Sequence, residues 1–160
     1  MQHITVQYAA DKKLAPAKKL ICLWAEQALA SHSCTKEVTI RIVNIPEMTA
    51  LNEGFRRKSG ATNVLSFPAD LPDAAKEIYP VLGDIVICAD VVNSEAAEQG
   101  KPQQAHWAHM VIHGVLHLLG HDHVNDDEAL QMETLEIKLL QDLGFSNPYN
   151  NGEMIKDHER

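Results

Sequence analysis

The chain has 160 residues, of which 45% are apolar and 22% charged, a size and balance that fit one globular domain and exclude disorder, collagen or a coiled coil as whole-chain readings. Its net charge of -8, from 14 Lys+Arg against 22 Asp+Glu, argues against a protein that coats nucleic acid by bulk electrostatics, though a local basic cleft stays compatible with it. No uncharged apolar run approaches the ~18 residues of a membrane span, and the start MQHITVQYAADKK lacks the apolar block of a signal peptide, so a cytoplasmic location with no membrane partner is expected.

Ile4, Val6 and Tyr8 alternate with Thr5 and Gln7, the period of a half-buried strand. Pro16 is a favourable first helical residue, and Leu20, Trp24 and Ala28 recur at four-residue steps, which predicts a helix to about Ala30. Val38, Ile40 and Ile42 predict a second strand to about Ile45, and Pro46 starts a short helix carrying Met48, Leu51 and Phe55. After the basic turn Arg56-Arg57-Lys58-Ser59-Gly60, the segment Asn63 to Phe67 reads as a third strand stopped by Pro68. The stretch from Pro68 to Pro80 reads as a surface loop, and Gly83 to Cys88 as a buried fourth strand. A helix from Val91 to Gln99 ends at Gly100 with Pro102 beyond, and the longest helix runs from Gln103 to Leu119, closed by Gly120. A last helix starts near Asn125, with Glu128 three residues on, and carries Met132, Leu135, Leu139 and Leu143 before Gly144.

Strands and helices mix without strict alternation, so the expected class is α+β: a small mixed sheet of about four strands packed with about five helices, with a metal site on a central buried helix. One domain is expected over residues 1–145, followed by a polar tail over 146–160 that frays. Cys22, Cys34 and Cys88 are far apart and odd in number, which reads as reduced packing residues instead of a disulfide framework or a cysteine zinc site.

The unusual count is nine histidines, six of them between His106 and His123. In His113-Gly114-Val115-Leu116-His117-Leu118-Leu119-Gly120-His121-Asp122-His123, the residues at 113 and 117 are displaced by only about 40° around a helix axis, so both can face one ion. Gly120 can leave the helix with positive φ and return His123 to the same point. Three imidazoles with an open fourth position describe a catalytic zinc site. A lone helical histidine is more often satisfied by ordinary hydrogen bonds; a triplet at this spacing on a mostly apolar helix is better explained by metal ligation at His113, His117 and His123, one zinc per chain. His109, one turn earlier, reads as a supporting or core histidine, and His121 competes with His123 for the third place.

The spacing matches H-E-x-x-H-x-x-G-x-x-H, the metzincin protease ligand pattern, except that Gly114 replaces the Glu that serves there as general base. A peptidase would need a base from elsewhere; Asp84 and Asp122 are candidates, although Asp122 can equally orient a ligand and Asp84 can simply end a loop.

Beyond about Val38 the chain resembles the YbeY family of bacterial rRNA maturation factors. The matching segments are Leu51-Asn52 with Phe55-Arg56, then Thr62 to Pro68 (TNVLSFP), Gly83-Asp84-Ile85, and the motif from His113 to His123. One departure is His121, where the family often has Tyr; it adds an unassigned imidazole beside the metal. The resemblance implies a single-strand-specific, metal-dependent endoribonuclease with zinc as its metal, acting on rRNA, including the 3′ end of the small-subunit RNA. It implies as partners the small ribosomal subunit and assembly factors. It also implies a catalytic arginine at Arg56, in the cleft facing the metal. Such an arginine suits phosphodiester cleavage, since paired charge-assisted hydrogen bonds can stabilise the transition state without a Glu at position 114. Arg57 and Lys58 can hold flanking phosphates. Two other readings stand beside this one: a metallohydrolase acting on peptides or esters, and a metal-stabilised ribosome assembly factor with no catalysis of its own.

Overall fold

The alternation at the start of the chain forms strand β1 (Ile4–Tyr8) in a computed structural model that describes residues 3–76, 78 and 80–149. A single 3-10 turn, Lys12–Leu14, follows, capped by the Asp11 side chain. Helix α1 spans Lys18–Ala30. It begins two residues after Pro16, whose carbonyl accepts a hydrogen bond from the Tyr8 hydroxyl at 2.8 Å and is thereby tied to β1. Strand β2 (Glu37–Val43) ends before Ile45, because Asn44 caps the next helix: its Oδ1 accepts from the Glu47 N–H at 3.1 Å. Helix α2 is therefore Ile45–Phe55, with the proline at its second position.

Strand β3 (Val64–Pro68), the four-residue helix α3 (Asp73–Lys76) and strand β4 (Val81–Cys88) come next. The short α3 lies inside the segment expected to be loop, which raises the helix number from about five to six among the described residues. Helices α4 (Ala89–Gln99), α5 (Gln103–Leu118) and α6 (Asp126–Asp142) follow among the described residues. Among the described residues no helix is long and apolar enough to cross a membrane. The expected polar tail lies outside the described residues beyond Tyr149.

The sheet order is β1-β2-β4-β3. β1 and β4 both run parallel to β2, and β3 pairs antiparallel with β4, so the sheet is mixed and the fold is α+β. β4 is an inner strand with both faces covered, which explains its unbroken apolar run. Its period-two geometry divides the core in two. Ile85 and Ile87 enter the main cluster with Trp24 of α1 and Val111 and Val115 of α5, whereas Val86 and Cys88 enter a smaller one with Val43, Met48 and Leu65. Helix α5 thus lies over the sheet, buried on nearly every side from His106 to Leu116. Any polar side chain it carries must find a partner inside the protein.

Candidate metal centre and its cleft

Helix α5 approaches β4 closely because residue 114 has no side chain. A Cβ built there would lie 2.9 Å from Ile85 Cγ2, inside the ~3.5–4.0 Å of an ordinary carbon contact. Ser66 of β3, in register with Ile85, donates its hydroxyl proton to the Gly114 carbonyl at 2.9 Å. This contact ties the helix carrying His113 and His117 to the sheet edge.

One turn apart on α5, His113 and His117 place their Nε2 atoms 3.1 Å from each other. Gly120 takes φ 104°, the left-handed region that favours glycine, and the chain then turns so that His123 returns to the pair. The turn is held by Asp122, whose Oδ1 accepts from the His123 backbone N–H at 2.7 Å. One ring nitrogen from each of His113, His117 and His123 lies within 4.8 Å of the others, a group able to hold a metal ion. His121 points elsewhere, to His32.

Behind this group stands a residue that the sequence reading did not single out. Glu136 of α6 is fully buried, and its Oε2 lies 2.5 Å from His113 Nδ1 while Oε1 lies 3.0 Å from His109 Nε2. Tyr149, just past the end of α6, donates its hydroxyl proton to the same Oε1. Burial alone would raise the Glu136 carboxyl, but the charges and hydrogen bonds of His109 and His113 outweigh it and hold the group well below the usual carboxylate range. An ionised Glu136 only accepts, so His113 carries a proton on Nδ1 and aims its Nε2 at His117. His117 is itself pushed down to about 4, by burial first and then by His113 and His123, and is neutral at pH 7. The neutral His117 ring is in the donor state that a metal of the zinc class takes, and the carboxylate behind His113 fixes that ring's orientation. His109, His113 and Glu136 also converge within 4.8 Å. There the carboxylate is already an acceptor for both rings, which makes this inner group the support of the outer one.

The outer group opens into a cleft of about 570 Å³ whose lining also includes Arg56, Lys58 and Ser66. Arg56 caps the C-terminus of α2, and its guanidinium donates to the Ser66 carbonyl at 2.9 Å. Buried Asn52 braces the basic turn: its backbone carbonyl accepts from the Arg56 and Lys58 N–H groups, and its side-chain amide donates to the Gly60 carbonyl at 2.9 Å. Three links, Arg56 to Ser66, Ser66 to Gly114 and Gly114 to His113, therefore connect the arginine to the histidine group. Asp84 is exposed on β4 and does not line the cleft. A signal for Glu136 was present in the sequence: it sits four residues after Met132 and three before Leu139, on the apolar stripe where a carboxylate needs a buried partner.

The family model described as Endoribonuclease YbeY matches residues 3–144. An endoribonuclease YbeY of Pseudomonas syringae pv. syringae is 50% identical, with 99% of this chain and 100% of the relative covered. One from Pseudomonas fluorescens is 54% identical over 90% of this chain and 94% of the relative. The fold is similar to the solution structure of TM1509 from Thermotoga maritima, with a TM-score of 0.59, 24% identity, and coverage of 96% of this chain and 99% of that one. With the match running nearly end to end and the motif histidines brought together by the fold, the chain belongs to the endoribonuclease YbeY family.

Proposed function

We propose that the chain is a zinc-dependent, single-strand-specific endoribonuclease of rRNA maturation, including the 3′ end of the small-subunit RNA. It works in the cytoplasm with the small ribosomal subunit and its assembly factors, and residues 1–145 form its one domain. The observation that carries this reading is the opening of the His113, His117 and His123 group into the same cleft as Arg56 and Lys58, in a chain whose family model is described as an endoribonuclease.

His113, His117 and His123 hold the zinc, with Glu136 fixing the orientation of the first ring. When bound, zinc supplies a Lewis acid for a phosphoryl oxygen and lowers the pKa of a water toward ~7. Arg56 presents its guanidinium to the scissile phosphate, and Lys58 binds a neighbouring one. Local cations of this kind reconcile an RNA substrate with the overall charge of -8. A cleft suits a splayed single strand better than an A-form duplex, whose phosphates lie on a stiff outer surface.

The peptidase alternative is opposed by packing as well as by sequence. The position where a metzincin carries its Glu is where α5 presses on Ile85, and a side chain there would collide with the buried Ile85 side chain. The test is parallel digestion of single-stranded RNA, its annealed duplex and a mixed peptide library by the wild type and His113→Ala. The expected result is metal-dependent cleavage of the single strand alone, lost in the variant. Peptide turnover without RNA cleavage overturns the proposal in favour of the protease-like reading. Equal RNA cleavage by both preparations indicates a contaminant and favours a non-catalytic assembly factor.

A further inference from the structure

His121 is the one imidazole of the motif that the nuclease reading leaves without a role. Its Nε2 lies 2.8 Å from the Nε2 of His32, a residue 89 positions away at the end of α1. The two rings are nearly perpendicular, at 87°, with centroids 4.9 Å apart. That arrangement repeats the His113 and His117 pair, whose Nε2 atoms are 3.1 Å apart and whose rings meet at 78° with centroids 4.6 Å apart.

The likeness extends to what stands behind each pair. His113 is held from the rear by Glu136, and His32 by Ser31: the Ser31 hydroxyl donates its only proton to the Ala28 carbonyl at 2.6 Å, and its oxygen lies 2.8 Å from His32 Nδ1. With its proton spent, that oxygen can only accept, so His32 carries its hydrogen on Nδ1 and turns the Nε2 lone pair toward His121. A hydrogen bond to the distal ring nitrogen that fixes tautomer and orientation is the usual support of a ligating histidine. Without a cation, His121 completes the contact by donating its Nε2–H. With one, its proton moves to Nδ1, and two lone pairs converge on one point at separations on the order of the 3 Å that two nitrogens on a single zinc adopt.

We propose that His32 and His121 form a second, weaker site for a borderline transition-metal dication such as zinc, at the rim of the cleft that His121 lines. Imidazole pairs select this class over magnesium or calcium, which prefer oxygen ligands. Water fills the remaining positions, so binding is weaker than at the three-histidine group. The site does not depend on the nuclease reading.

The test is zinc binding by the chelator-stripped full chain, measured by equilibrium dialysis and elemental analysis across a range of free zinc. The wild type takes a tight equivalent and then a weaker one. His32→Ala and His121→Tyr lose the weaker equivalent alone, and His117→Ala loses the tight one while keeping the weaker. A second readout is independent of any variant's folding: substoichiometric nickel added to zinc-loaded wild type broadens the ring resonances of His32 and His121 before those of other surface histidines. A wild type that stops at one equivalent, a weaker equivalent that survives His32→Ala, or nickel broadening that spares both rings overturns the proposal.

Discussion

Replacing Gly114 by Ala tests whether close packing of α5 on β4 builds the site. In a helix interior this change gains about 1 kcal/mol from propensity alone. Here the added methyl would lie 2.9 Å from Ile85 Cγ2 and 3.2 Å from Cδ1. Ile85 is fully buried on an inner strand and cannot swing away, which places the overpacking cost in the upper part of the usual range of about 1–3 kcal/mol. The net expectation is a loss of about 1–2 kcal/mol, a fall in Tm of about 2–8 °C for a chain of this size. The contrast comes from the Ile85→Ala background, which removes the three atoms that lie nearest the new methyl, Cγ2, Cδ1 and Cγ1 of Ile85. That truncation costs about 2–5 kcal/mol itself, but within it Gly114→Ala becomes stabilising by about 1 kcal/mol.

The sign of the alanine effect therefore reverses, with a coupling of about 2–3 kcal/mol in the double-mutant cycle. Urea midpoints of the four proteins at one fixed free-zinc concentration measure it, since a ligand bound only by the folded state would otherwise add to its apparent stability. A Gly114→Ala protein as stable as the wild type, or an equal loss in both backgrounds, would refute the claim that contact with the Ile85 side chain is what excludes a side chain at this position.

Arg56→Ala keeps fold and metal and loses RNA cleavage by roughly 10²-fold in single turnover; Arg56→Lys recovers only part, because an ammonium lacks the planar fork, and an unchanged rate for the alanine variant removes the arginine from the chemistry. Glu136→Gln leaves the buried imidazole N–H groups short of an acceptor, so chelator competition reads a zinc affinity lower by about 10–100-fold; wild-type affinity would show that the carboxylate does not support the site. In metal-free protein, the His117 pKa is 6.5 unfolded and about 4 folded, so as pH falls between those values the unfolded chain takes up the proton first and stability drops. His117→Asn therefore gives a flatter dependence of the urea midpoint over that window, and an identical slope would contradict the assignment.

Most elements were legible because each states its own period. β1 and β2 alternate, α6 repeats its apolar residues at three and four, and Asn125 announces its helix with a cap that the structure retains, at 2.8 Å from the Glu128 N–H. The errors fall where tertiary contact overrides a local rule. Pro16 is a good first helical residue, yet its carbonyl is engaged by Tyr8 and the helix starts later. The segment 68–80 reads as loop from its prolines, yet four residues of it close a turn of helix.

The candidate site divides in the same way. The three histidines and their glycine lie within eleven residues, so helix geometry and one positive φ bring them together with no knowledge of the rest of the fold. Glu136, Ser66 and Tyr149 lie 13 or more residues from the motif's ends, and only the packing of α6 and β3 against α5 makes them neighbours. The ligating pattern is thus local while its support is tertiary. A short insertion in a surface loop can leave the histidine spacing untouched and still dissolve the centre, by moving the carboxylate that fixes the tautomer of His113. Where the motif appears in another chain, a buried acid on the following helix, spaced into its apolar stripe as Glu136 is between Met132 and Leu139, is the further sequence mark that separates a working centre from a coincidence of histidines.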